Sequence, residues 1–393
     1  MSGPLKGLKV LDFTTLLPGP YATLCIADLG AEVLKITSGS RPDLADLIPP
    51  FVPNTKLSAA TAYLCRGKRS MSLNLKHPDA VEIVSQLVAD YDIVVEGFRP
   101  GVMARLGLGY DRLKEVNPAI IYCSITGYGQ TGPLHKKGGH DINYLSFSGI
   151  MSYSGRKESG PVLSGMQIAD VASGSYNAVI GILAAVINRK ETGKGQYIDI
   201  SMTDGMIAFN AIYGACFLVD GKEPHRDGLL LNGGTLYDYY ETKDGRHISF
   251  GGLEPQFFAA FCTAINRPDL ISGGIETKDI GQVKTEIRQI FKTKTRDEWV
   301  AVFEGVDACV GPVLTLSEVL SSKHVEEREL LVEVDLPDGG KTRQIGNPIK
   351  FSESRMEYTT AGVASGTHKK DVIMELGYSE EDFYGFEKNG VFN

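Results

Sequence analysis

Leu8-Lys-Val-Leu-Asp-Phe13, then a stretch opened by Gly19-Pro20 and closed at Gly30, then Ala31-Glu-Val-Leu-Lys-Ile36, decides the fold. The outer runs are short, apolar and bounded by turn residues, and read as strands. Between them, Pro20 suits the first turn of a helix and Gly30 suits its end. The rhythm continues downstream. Pro78-Asp79 starts a helix with Val84, Leu87, Val88 and Tyr91 on one face, and strands follow at Ile93–Phe98 and Ile120–Ile125. Such βα alternation predicts an α/β fold with a parallel, doubly wound, Rossmann-like sheet. Ligands of these sheets sit beyond the carboxyl ends of the strands, which selects the loops Thr14–Gly19, Gly97–Gly101 and Thr126–Gly132.

A long helix is expected over Asp170–Arg189, with Tyr176, Val179, Ile180, Leu183 and Ile187 as its buried stripe, and a strand returns at Tyr197–Met202. Beyond about Asp220 the texture changes to a hairpin, Leu236–Tyr240 with His247–Gly251, then helices from Pro255 and within Lys284–Phe303. A chain of 393 residues exceeds what one core holds. The expected layout is a large α/β domain over 1–200, a linker over 201–225 and a smaller α+β domain over 226–325, with residues 326–393 returning to the large domain.

Hydrophobic content of 42%, charged content of 22% and a net charge of −8 fit a globular protein and argue against a non-specific nucleic-acid binder. No run of eighteen apolar residues occurs, which argues against a membrane span. The opening residues lack an apolar signal core, and Gly-Val-Phe-Asn393 is no targeting tripeptide. The six cysteines are scattered singly without Cys-x-x-Cys, which gives a metal site little support and points to reduced thiols in a cytosolic or organellar compartment, with a cytoplasmic location expected.

Three distant stretches carry ionisable residues in distinctive settings: Gly139-His-Asp-Ile-Asn-Tyr144, Gln167-Ile-Ala-Asp170 and Leu253-Glu-Pro-Gln-Phe257. His140, Asp170 and Glu254 offer a base near neutrality, a carboxyl group and an anchor for the imidazole, a set suited to moving a proton on and off carbon. Spacing alone does not separate such a set from three unrelated residues, because Asp170 and Glu254 both sit where plain helix caps occur. Arg66-Gly-Lys68-Arg69 is either solvated surface or a patch for a phosphate-rich ligand. Arg99 in Glu96-Gly97-Phe98-Arg99-Pro-Gly101 lies just past a strand end, where ligand contacts concentrate, and Arg105 follows closely. Gly127-Tyr-Gly-Gln-Thr-Gly132 matches G-x-G-x-x-G, but Pro133-Leu-His-Lys-Lys is a poor helix start and the match is weak for a dinucleotide.

Ordered phrases across nearly the whole chain resemble the class III CoA-transferase family: Val10-Leu-Asp-Phe with Pro18-Gly-Pro, Ala27-Asp-Leu-Gly-Ala-Glu-Val, Arg66-Gly-Lys-Arg-Ser, Glu96-Gly-Phe-Arg-Pro-Gly and Thr192-Gly-Lys-Gly-Gln. Within it, Gly139-His-Asp-Ile-Asn-Tyr144, Glu254-Pro-Gln-Phe257 and Thr295-Arg-Asp-Glu-Trp with Asp307-Ala-Cys-Val-Gly-Pro-Val313 are similar to the α-methylacyl-CoA racemases. The resemblance implies a 2-methyl-branched acyl-CoA substrate, with CoA as part of that substrate and no separate cofactor. His140 and Asp170 would exchange the α-proton on opposite faces of an enolate, as a coupled pair holding one transferable proton. Glu254 would fix the imidazole tautomer, and a backbone N–H near Asp170 or Gly19 would hold the enolate oxygen. Arg66, Lys68, Arg69, Gly97, Phe98, Arg99, Arg105 and Tyr144 would bind the CoA moiety. The family usually has an acidic residue and then Arg or Pro after its second strand; here Thr37-Ser-Gly-Ser-Arg41 follows, leaving Arg41 to reach the nucleotide from a shifted position. The alternative activity is CoA transfer through an aspartyl intermediate at Asp170. The resemblance also implies an interlocked homodimer, with Glu254 of one chain meeting His140 of the other. One tension remains at Asp170: a helix N-terminus favours its ionised form, whereas burial favours the protonated one.

Overall fold

The computed structural model describes residues 3–393. Six strands, β1 (Lys9–Phe13), β2 (Glu32–Thr37), β3 (Lys68–Ser72), β4 (Ile93–Glu96), β5 (Ile121–Thr126) and β6 (Tyr197–Ser201), form one parallel sheet in the order 3-2-1-4-5-6. The order reverses between β1 and β4, which creates the crevice where such folds bind ligands.

Apolar residues cover both faces because successive side chains alternate. Leu11, Leu34, Val94 and Tyr122 face one core, shared with the helix Pro78–Asp90 and with Val372, Ile373, Phe383, Val391 and Phe392 from the end of the chain. Val10, Val33, Ile93, Val95 and Cys123 face the other, covered by the helices Pro18–Asp28 and Tyr176–Thr192. The expected stripe of the latter helix is corrected. Val179 is buried and Leu183 partly so, but the other core residues are Ala178, Ile182, Ala185 and Val186, while Ile180 and Ile187 are exposed at 64% and 66%. This helix is apolar on more than one side, so apolar spacing could not choose the inner face. With the turn before it, Ala169–Thr192 is long and apolar enough to cross a bilayer by length and composition, and it packs into the second core.

The chain divides into two compact units. The first comprises residues up to Ser148, Ser164–Phe209 and His324–Asn393; the second comprises Gly149–Leu163 and Asn210–Lys323. The second unit thus includes a segment expected in the large domain and begins before the expected boundary. Ion pairs and hydrogen bonds explain the recruitment: Arg156 pairs with Asp227 and Asp238, and Arg226 donates to the carbonyls of Ser154 and Met151. In this unit β7 (Asp238–Glu241), β8 (His247–Phe250) and β9 (Val310–Pro312) form an antiparallel sheet. Its core joins Tyr240, Phe250, Phe261, Phe291 and Trp299 with the helices Pro255–Ala264 and Ile280–Phe291. Phe250 and Phe261 stack with centroids 3.9 Å apart.

Candidate active site

Buried charge shapes the loop beyond β1. Asp12 accepts the Thr14 N–H at 2.9 Å and the hydroxyls of Thr14 and Thr23 at 2.5 Å. Burial opposes its charge, but Lys68 and Lys35 beside it hold its carboxyl down at about 2. Lys35 also donates to the Thr14 carbonyl at 3.1 Å, and Asp43 accepts the N–H of Leu16, whose φ is +64°. Gly19 permits close packing of the helix start, because a Cβ there would lie 2.2 Å from Thr14 Cβ.

Beyond β5, two glycines cradle an aromatic ring. A Cβ on Gly127 would fall 2.3 Å from Tyr144 Cε1, and one on Gly139 would fall 2.8 Å from the same atom. The Tyr144 hydroxyl donates to the Gly139 carbonyl at 2.5 Å, and its ring meets Tyr128 edge-on at 5.3 Å. Burial, with the Asp170 charge adding, pushes the Tyr144 phenol up to about 12. The first glycine of the G-x-G-x-x-G match therefore makes room for a tyrosine, and no helix follows the motif directly.

His140 is the N-cap of the helix Asp141–Phe147 and is exposed; its N–H donates to Asn143 Oδ1 at 3.1 Å. The neighbouring Asp141 bonds to a different segment. Its Oδ1 accepts the N–H of Ala169 at 2.6 Å and of Asp170 at 3.1 Å, tying the His140 helix to the start of the Asp170 segment. That segment, Ala169–Ser175, is a π-helical turn, a local widening common at functional positions. Ser175 Oγ donates to the Pro18 carbonyl at 2.6 Å and to the Asp170 carbonyl at 3.1 Å, joining it to the β1 loop. Asp170 is half-buried, and burial, with Asp141 adding, pushes its carboxyl up to about 6. The Asp170 N–H is given to Asp141, and Gly19 stands in the first turn of its helix.

The expected phosphate patch is also corrected. Arg66 is buried, its guanidinium paired with Asp28 at 3.0 and 2.7 Å, bonded to Gln344 at 2.9 Å, and flanked by the rings of Tyr63 and Tyr358. Lys68 is buried among Asp12, Thr23 and the Pro20 carbonyl. Arg69 forms two 2.8 Å bonds with Glu375. All three are engaged within the chain rather than forming one free cationic surface. Arg41, Arg99 and Arg105 are exposed, Gly97 lies near Thr14, and Phe98 packs partly into the first core. Glu254 belongs to the second unit, as the exposed N-cap of the helix Pro255–Ala264. Asp141 lies within the same motif as His140, but its role depends on partners near residue 170 that the motif does not contain.

Residues 5–369 match the family described as CoA-transferase family III. This chain belongs to that family. The chain is similar to succinyl-CoA:glutarate CoA-transferase from Mus musculus, with 35% identity over 387 residues covering 96% of this chain and 87% of the relative. Alpha-methylacyl-CoA racemase from Homo sapiens is 33% identical over 393 residues, covering 98% and 97%. A CAIB/BAIF family protein from Brucella suis superposes with a TM-score of 0.84 at 27% identity, covering 96% of this chain and all of that one. The family III assignment makes the protein an enzyme, a racemase or a CoA-transferase.

Proposed function

We propose that the protein racemises 2-methyl-branched acyl-CoA thioesters by 1,1-proton transfer. The observation that carries this reading is the Asp141 bridge, which ties the element bearing His140 to Asp170, a carboxyl group raised to about 6. A thioester makes the α-hydrogen weakly acidic, and inversion needs an acid–base group on each face of the planar enolate. Imidazole exchanges protons near neutrality. A carboxyl raised by burial does so too, whereas a nucleophile for CoA transfer benefits from staying ionised.

In this reading CoA enters as part of the substrate, with Arg99, Arg105 and Arg41 supplying exposed cations for its phosphates. Glu254 orients the imidazole from the second unit of the partner chain in an interlocked homodimer. Supporting the assembly, the apolar helix Tyr213–Asp220 buries none of its residues within the chain, leaving Leu218 and Val219 at 85% and 88% exposure. Apolar surface on this scale marks an interaction face. Analytical ultracentrifugation at nanomolar concentration tests it, and a folded, active monomer refutes it. The unpaired cysteines accord with a cytoplasmic location.

The reaction is tested with one enantiomer of a 2-methylacyl-CoA in heavy water, with and without an acceptor acid. Racemisation predicts α-deuterium uptake and decaying optical purity without acceptor. Transfer of CoA to added carboxylates, with the α-hydrogen retained, identifies the protein as a family III CoA-transferase instead.

A further inference from the structure

At the carboxyl end of β4 lies a buried acid that the proposed reaction does not use. Glu96 is 4% exposed. Its Oε2 accepts the N–H of Phe98 at 2.7 Å, Oε1 is bonded by Ser124 Oγ, and Ser124 Oγ accepts the Tyr197 hydroxyl at 2.9 Å. A hydrogen-bonded chain therefore crosses β6, β5 and β4 and ends on a loop amide rather than on another strand. Burial pushes the Glu96 carboxyl up to about 7, opposed by the bonds from Ser124 and Phe98 and reinforced by Asp199; no cation contributes. An acid kept at this cost without a cation is poorly explained as a stabilising device.

What the relay holds is the turn leading to Arg99. That guanidinium lies against the backbone that precedes His140, since a Cβ on Gly138 would be 2.7 Å from Arg99 Nη2. Arg99 also belongs to the electrostatic surroundings of Tyr144. We propose that Glu96 is a positioning residue for acyl-CoA binding: through the Phe98 amide it sets Gly97–Gly101 so that Arg99 stands beside the Gly138–His140 turn. The inference rests on the acyl-CoA reading above and adds a residue that acts through Arg99 rather than on substrate.

Calorimetric titration of the protein with acetyl-CoA tests the proposal, using E96A, E96Q, R99A and the E96A/R99A double variant. Alanine leaves the Phe98 N–H unpaired and should weaken binding about tenfold, whereas Gln restores an acceptor and should stay within about twofold. Because Glu96 acts through Arg99, the double variant should bind no more weakly than R99A alone, whereas a merely structural role adds to it. Wild-type affinity in E96A, or additive weakening in the double variant, overturns the proposal. If the wild-type protein does not bind acetyl-CoA, the acyl-CoA reading fails and amide exchange at Phe98 decides the loop role. Protection lost in E96A and retained in E96Q, at equal thermal stability, supports that role; equal protection in both overturns it.

Discussion

The Asp141 carboxylate accepts the backbone N–H of Asp170 at 3.1 Å while its charge helps raise the Asp170 side chain to about 6. One residue thereby anchors the segment bearing a candidate acid–base group and tunes that group. Asp141→Asn keeps an acceptor oxygen but removes the charge. The Asp170 pKa should fall, and the acid limb of the pH–rate profile for α-hydrogen exchange should move to lower pH. An unshifted limb with unchanged turnover contradicts this coupling.

The two proposed bases should fail together. His140→Ala is expected to lower racemisation by about two to four orders of magnitude, the usual contribution of a positioned acid–base group. Asp170→Ala should be similarly damaging and Glu254→Gln milder. Racemisation at the wild-type rate in His140→Ala sinks the assignment.

Asp170 should also cost stability at neutral pH. Its folded pKa of about 6 lies above the ordinary 3.8, so the native state holds the proton more tightly than the unfolded chain. Stability therefore declines as pH rises from about 4 to 6 and the deficit persists above that window. Asp170→Asn should be more stable than wild type at pH 7.5 by about 1–2 kcal/mol, allowing for partial solvent screening. The difference should vanish below about pH 4. Denaturant titrations across this range measure it; a constant difference between the two proteins rules the account out.

Arg66 separates a structural from a ligand-binding role. Its bonds to Asp28 and Gln344 are buried, and Arg66→Ala leaves the Asp28 carboxylate without its partner. The expected loss is about 3–5 kcal/mol of folding free energy. Normal stability with weakened CoA binding would return Arg66 to the phosphate site.

Gly127→Ala tests the ring cradle. The added methyl would sit 2.3 Å from Tyr144 Cε1, so the ring must move and its bond to the Gly139 carbonyl must change. Since Gly139 immediately precedes His140, kcat/KM should drop by about a hundredfold, as for an ångström-scale misplacement. Activity within twofold of wild type shows that the cradle does not set the base.

The sheet was legible because β1, β4 and β5 are near-continuous apolar runs bounded by turn residues, the pattern of strands buried on both faces. His140, Asp170 and Glu254 were legible through short phrases that carry their own flanking context. What local sequence hid were distant partners. Nothing near Arg66 announces Asp28 or Gln344, and nothing near Lys68 announces Asp12, so a basic cluster read as surface turned inward. The recruitment of Gly149–Leu163 into the second unit likewise depends on Arg156 meeting Asp227 and Asp238. The inner face of Tyr176–Thr192 was hidden for a different reason, because apolar residues occur around more of the helix than one stripe.

The core that joins Leu11 and Val94 to Val372, Phe383 and Phe392 has a consequence for biogenesis. Its halves lie at opposite ends of the chain, and Asn74 donates its N–H to the Val391 carbonyl. During synthesis the parallel sheet can assemble while one of its faces still lacks the cover that comes from the segment beginning at His324. Such non-local closure is slow, and a sheet face covered only in part, by the helix Pro78–Asp90, is an aggregation hazard while it lasts. Demand for chaperones should therefore peak late in translation, and chains arrested after the second unit should be captured by holdases far more readily than completed ones.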